Sequence, residues 1–183
     1  MSHLPAPIAD SAGLRDGTTL FFHAITPDDR ACIARGFERL SAQSRRSRFL
    51  RPMARLDAAT LDYLSAVDGS RHLAIGASSA GDERVGLARC VRLEGEPETA
   101  EIAVTILDDW QRRGVAPVLV TELARWADAV AIRKFRALFG FENRAVARLL
   151  AGNGIAFEPE GGGMVRADIE IGAILKAAAP ASA

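Results

Sequence analysis

The sequence predicts a single α/β domain of the α+β kind, a mixed and mostly antiparallel twisted sheet flanked by helices. Three observations carry this. Residues 101–123 run from a β-branched apolar stretch through acidic turn residues into a Gly-containing basic hexad, then into a helical pattern opening on Pro117, which reads as strand, turn and helix. Ahead of it, apolar runs at 71–77 and 85–93 are separated by polar connections, as in antiparallel hairpins. Behind it, one more strand pattern and one more helical pattern follow, and at 183 residues without repeat or composition break the chain suits one core.

Residues 1–13 are rich in Ala, Pro and Ser without periodicity and are expected to form a loose arm, leaving 14–174 as the folded domain. Arg15-Asp-Gly17 reads as a turn and 18–25 as the first strand. Thr26-Pro-Asp-Asp29 starts a helix, with an N-cap hydroxyl, proline at the first helical position and two carboxylates facing the dipole; it should run to about Arg39 with Ile33, Phe37 and Leu40 on one face. The densest positive patch lies at 44–51 and is either a solvated face or a contact for phosphate or an acidic surface. Residues 56–64 suit a short helix in which Tyr63 packs. The strands at 71–77 and 85–93 follow, joined through 78–84, and residues 94–99 are read as the next turn.

After the central strand, a helix is expected over about 117–131 and a strand over 133–138, with Phe135, Ala137 and Phe139 alternating against Arg133, Lys134 and Arg136. Asn143 opens a helix that Gly152-Asn-Gly154 stops, and 155–158 with 164–171 form a last hairpin around 159–163. The alanine-rich residues 175–183 are read as an unanchored tail.

With 23 basic and 23 acidic side chains the net charge is zero, so broad nucleic-acid binding has no electrostatic support and phosphate recognition must be local. Lys134 and Lys176 are the only lysines; arginine supplies the remaining positive charge, in a form suited to bidentate phosphate contacts. Cys32 and Cys90 imply no disulfide framework and are expected as reduced, buried thiols. No bilayer-length apolar stretch or signal-peptide region is seen, so the expectation is a cytoplasmic protein without membrane partners.

The chemistry concentrates in the turn 111–116. The first amides of a helix have no intrahelical acceptor, and the aligned peptide dipoles favour an anion there. Gly114 and Ala116 let a phosphate approach the main chain, while Gln111, Arg112 and Arg113 offer side-chain donors. By itself such a turn is also compatible with an ordinary solvated helix cap.

The hexad Gln111, Arg112, Arg113, Gly114, Val115, Ala116, with Asn143 one strand later, resembles the acetyl-CoA motif of the GNAT N-acetyltransferases. Residues 100–111 and 141–150 are similar in particular to the bacterial protein lysine acetyltransferase branch, and the resemblance covers roughly 14–160. It implies acetyl-CoA as co-substrate with no metal and direct attack by a primary amine, a protein lysine being the leading acceptor. It further implies main-chain contacts from Val104 and Ile106 to the pantetheine, pyrophosphate held by the amides of Arg112, Arg113, Gly114, Val115 and Ala116, and a bond from Asn143 to the pantetheine arm. Arg144 and Arg148 are placed near the outer phosphate or adenine, and the patch at 44–51 beside the acceptor groove.

Glu101, ten residues before Gln111, takes the place of the family's general base. Partial burial beside Ile102 and Val104 is expected to raise its pKa above the usual value of about 4.3; the alternative is a strand-end carboxylate paired with an arginine. Asp108 and Asp109 are read as turn-forming. Many relatives carry a tyrosine seven residues after the asparagine to protonate the leaving thiolate, and Leu150 stands there instead. A small-molecule amine acceptor and a non-catalytic acyl-CoA-binding module therefore remain beside the leading reading, as does a homodimer. An unrelated nucleotide-binding βαβ unit would need a Gly-rich turn early in the chain, and none is present.

Overall fold

The computed structural model describes residues 10–179. Eight strands form one sheet: β1 (Ser11–Gly13), β2 (Thr19–Ala24), β3 (His72–Ser79), β4 (Arg84–Leu93), β5 (Glu96–Ile106), β6 (Lys134–Gly140), β7 (Glu158–Gly161) and β8 (Met164–Glu170). Their spatial order is β1-β2-β3-β4-β5-β6-β8-β7, and every adjacent pair is antiparallel except β5 with β6. A parallel pair needs a crossover, and α4 (Val115–Ala129) supplies it.

Alternation along the strands sorts side chains onto two faces. Glu101, Ala103 and Thr105 of β5 stand opposite Val91, Arg89 and Leu87 of β4 and share one face. That face is covered by α1 (Arg30–Glu38), α2 (Ala42–Phe49) and α3 (Ala58–Ser65). The other face is packed by α4, with Leu119, Leu123 and Trp126 fully buried against a core that includes Leu73, Ile75, Val85 and Phe135. A smaller cluster of Phe139, Leu150, Val165 and Ala167 lies under α5 (Arg144–Gly152).

The start of α1 forms as its sequence dictates: the Thr26 amide and hydroxyl donate to Asp29 Oδ2 at 2.9 and 3.2 Å, across a short 3-10 turn at Pro27–Asp29. Both cysteines are free; Cys90 is buried and its thiol pushed up to about 12 by desolvation, while Cys32 is half-buried rather than buried. Among the described residues no helix is long and apolar enough to cross a membrane.

Four segments differ from the sequence expectation. Residues 11–13, assigned to the loose arm, pair with β2 as an edge strand; the remainder of the arm, 1–9, lies outside the described residues. The turn expected over 94–99 shrinks to Glu94 and Gly95, whose φ of 81° lets the chain reverse in two residues, and β5 begins at Glu96. Pro97 is accommodated beside a register shift after Arg92, where no ladder amide is required. The last hairpin turns at Gly162 and Gly163, both with positive φ, so its first strand starts at Glu158 instead of 155.

The fourth segment is the tail. Residues 171–178 form α6 (Ile171–Ala178), because Ile171, Ile174 and Leu175 recur at helical spacing and pack on the α4 side of the core. Alanine-rich composition concealed that stripe, and 180–183 lie outside the described residues.

Candidate acyl-transfer site

The turn after β5 is shaped by two left-handed residues, Arg112 with φ 62° and Gly114 with φ 89°, the latter as N-cap of α4. Among the described residues the amides of Arg112, Arg113, Gly114, Val115 and Ala116 donate no intramolecular hydrogen bond. Five amides without an internal acceptor thus lie at the turn and first residues of a fifteen-residue helix, its positive end.

The β5–β6 ladder stops at Ile102–Ala137, although β5 runs on to Ile106 and β6 to Gly140. The Leu107 amide bonds the Val85 carbonyl at 3.0 Å, which fixes the alternation: main-chain groups of Val104 and Ile106 point away from β4, toward the opening between the strands. Asn143 sits where that opening meets α5; its Oδ1 accepts from the Val146 amide at 3.3 Å as an N-cap, and its Nδ2 has no partner among the described residues. Unpaired amides, an unzipped strand edge and a free amide nitrogen suit the phosphates and polar arm of coenzyme A.

The side chains of the hexad do other work than expected. Gln111 Nε2 donates to Ser44 Oγ at 3.1 Å and to the Ile106 carbonyl at 3.2 Å, tying α2 to the end of β5. Arg113 is held by Asp16 Oδ2 at 2.8 Å and by Thr18 Oγ1 at 3.0 Å, with its guanidinium 4.1 Å from the Trp110 ring centroid. Thr18 and Arg113 hold the Asp16 carboxyl down to about 2. So neither Gln111 nor Arg113 is a free phosphate donor, whereas Arg112 is exposed and unpaired among the described residues. Arg144 and Arg148 are likewise exposed on α5.

Asp108 is a turn residue with a further task. It accepts from the Ser41 amide and hydroxyl at 2.9 and 2.7 Å and from Ser44 Oγ at 2.8 Å, pinning the start of α2. Desolvation opposes its ionisation, yet these bonds hold its carboxyl below the usual range. The basic patch resolves into unlike parts. Arg45 caps the Phe37, Glu38 and Ala54 carbonyls at 3.2, 2.8 and 3.0 Å, and only Arg48 turns toward the sheet.

Glu101 lies in a cleft with Arg48, Tyr63, Arg89, Val91, Leu93 and Ala103. Its expected partial burial is not found: Ile102 and Val104 project to the opposite face, leaving Glu101 exposed. It is also mid-strand, and it forms no hydrogen bond or salt bridge among the described residues. The arginine facing it across the parallel pair, Arg136, is held instead by Asp168 at 2.8 Å and Glu96 at 2.7 Å. Leu150 is buried in the smaller core cluster and brings no ionisable group to the position of the missing tyrosine.

Sequence reasoning missed the group beneath Glu101. Arg89, only 2% exposed, donates from Nη2 to His72 Nε2, while His72 Nδ1 bonds the Ala66 carbonyl at 2.9 Å. Since guanidinium only donates, Nε2 must accept, so the ring is neutral with its proton on Nδ1. Burial, then Arg89, pushes His72 down to about 4. Tyr63 stacks on His72 with centroids 5.6 Å apart, and Arg89 lies 4.6 Å from the Tyr63 centroid. The three come from α3, β3 and β4, and no sequence spacing links them.

Residues 19–156 match the Acetyltransferase (GNAT) domain family. Acetyltransferase PA5475 of Pseudomonas aeruginosa is 30% identical over 136 residues, 73% of each chain. Acetyltransferase Pat of Mycolicibacterium smegmatis is 26% identical over 159 residues, 86% of this chain but 47% of that protein, so the chain spans about half its length. The crystal structure of the GNAT domain of S. lividans PAT superposes with a TM-score of 0.82 at 27% identity, covering 87% of this chain and 95% of that one.

Proposed function

The chain belongs to the GNAT acetyltransferase family, and from that premise we propose that it transfers an acetyl group from acetyl-CoA to a primary amine, with a protein lysine as the acceptor. The observation that carries the reading is the opening between β5 and β6 beyond Ile102–Ala137, set beside the undonated amides of Arg112 to Ala116. Val104, Ile106 and Asn143 would hold the pantetheine arm, and the turn would hold the pyrophosphate, chiefly through main chain.

Acetyl-CoA supplies an activated acyl carbon with a thiolate leaving group. Glu101, unpaired and exposed to solvent, takes a proton from the acceptor ammonium, directly or through one water, so that a neutral amine nitrogen attacks. A C–N bond forms, the C–S bond breaks, the thiolate leaves with the electron pair, and the new amide nitrogen sheds its second proton to water. With Leu150 in the acid position, the thiolate takes its proton from water; a thiol pKa near 8.5 makes this a small cost near neutral pH.

Thiol release with lysine peptides tests the reading. Glu101→Gln should lower kcat/KM by roughly 10²–10⁴ while leaving coenzyme A binding intact by calorimetry. Leu150 favours one second reading, an acyl-CoA-binding module without turnover, which predicts heat with coenzyme A but no thiol release from any acceptor.

A further inference from the structure

We propose that the cleft beside Glu101 selects a lysine flanked by aspartate or glutamate, Arg89 and Arg48 receiving the neighbouring carboxylate. This specificity rests on the placement of the acceptor amine at Glu101.

Arg89 is buried with one Nη bonded to His72 and the other, Nη1, without a partner among the described residues. Arg48, whose guanidinium is pushed down to about 10 by desolvation and by Arg89, borders the same cleft and lies 4.9 Å from the Phe49 ring. Neither arginine forms a salt bridge, although eleven other pairs across the described residues do.

A buried guanidinium with an idle N–H and no counterion is costly unless something else repays it. The one carboxylate lining this cleft is Glu101, which bonds neither arginine and is reserved for the ammonium. An anion that completes the pair must then come from the ligand. An acceptor with positive charge at Glu101 and negative charge at Arg89 and Arg48 matches the cleft. A polyamine would bring a second ammonium against two guanidiniums. Tyr63, 56% exposed, lies over Arg89 with its ring centroid 4.6 Å from the guanidinium, and would swing aside to admit a carboxylate.

The test uses the full chain saturated with coenzyme A and three nine-residue peptides, identical except that the central lysine is flanked by Asp, Ala or Arg. Calorimetry should show the Asp-flanked peptide binding at least tenfold tighter than the Ala-flanked one, with the Arg-flanked peptide weakest. Arg48→Met should erase the Asp-over-Ala preference while coenzyme A affinity is kept; Arg89→Met is the direct variant, but its burial endangers folding, which is why Arg48 is the deciding position. Equal binding of the Asp and Ala peptides overturns the proposal, as does a preference that survives Arg48→Met. So does 6-aminohexanoate binding as tightly as the Asp-flanked peptide, which would make the anion that of a small molecule. Absence of thiol release from every peptide would sink the proposed transferase activity, while peptide binding alone still decides this selectivity.

Discussion

A neutral histidine caught between a buried guanidinium and a carbonyl makes stability depend on pH at one residue. The folded pKa of His72, about 4, lies below the ordinary 6.5, so between those values the unfolded chain binds the extra proton. Its contribution is whole above pH 6.5 and is lost as pH falls toward 4. A depression from 6.5 to about 4 corresponds to at most about 3 kcal/mol for a ring this well buried. Urea unfolding at pH 7 and pH 4.5 should reveal that loss, and His72→Gln should remove most of the difference while lowering stability at pH 7. An unchanged pH dependence in the variant would show that other groups carry it. The same protonation would set two cations against each other beneath Glu101, so acceptor binding should weaken only as pH falls through about 4, where the folded ring takes up its proton.

At the level of elements, the phosphate turn and α6 teach opposite lessons. Gly114 was readable because its place before a helix asks for a left-handed residue, and φ is 89° there. No atom lies within 4 Å of a Cβ built on it, so Gly114→Ala isolates backbone strain from crowding. It should cost about 1 kcal/mol, a fall of some 2–4 °C in Tm, and weaken coenzyme A binding by displacing the amides around it. Unchanged affinity would mean that the turn does not hold the phosphates. The Gln111 and Arg113 side chains, by contrast, were misread because their partners, Ser44 and Asp16, are 67 and 97 residues away.

Helix α6 was missed altogether, since its stripe of Ile171, Ile174 and Leu175 is short and set among alanines. Its weight is measurable: Ile171 is fully buried, and Ile171→Ala should destabilise by about 2–5 kcal/mol. A cost below about 1 kcal/mol would show that α6 is not anchored through Ile171.

For the molecule as a whole, what sequence could supply was the alternation of strands and turns and the one crossover; what it could not supply was where the β5–β6 ladder ends. That end is a property of two strands together. Ile102 and Ala137 pair, and the next residues of each strand diverge, although nothing in 103–106 or 138–140 marks them as unpaired. The sheet is continuous from β1 through β5 and from β6 through β7, so the opening divides it into two parts whose ladder is the four register pairs Thr99 to Ile102, supplemented by the Arg136–Glu96 ion pair and the Arg133 amide on the Glu98 carbonyl. A ligand lying in the opening would bridge those parts and bind the folded state alone. Linkage then predicts a gain of about 2.7 kcal/mol at a coenzyme A concentration a hundredfold above Kd, which for a chain of this size raises Tm by roughly 5–10 °C. Hydrogen exchange should slow most at the amides of Val104 and Ile106 and at the turn from Arg112 to Ala116, because those donors have no partner among the described residues. Protection confined to the α1–α3 side of the sheet would place the ligand elsewhere and remove the opening from the mechanism.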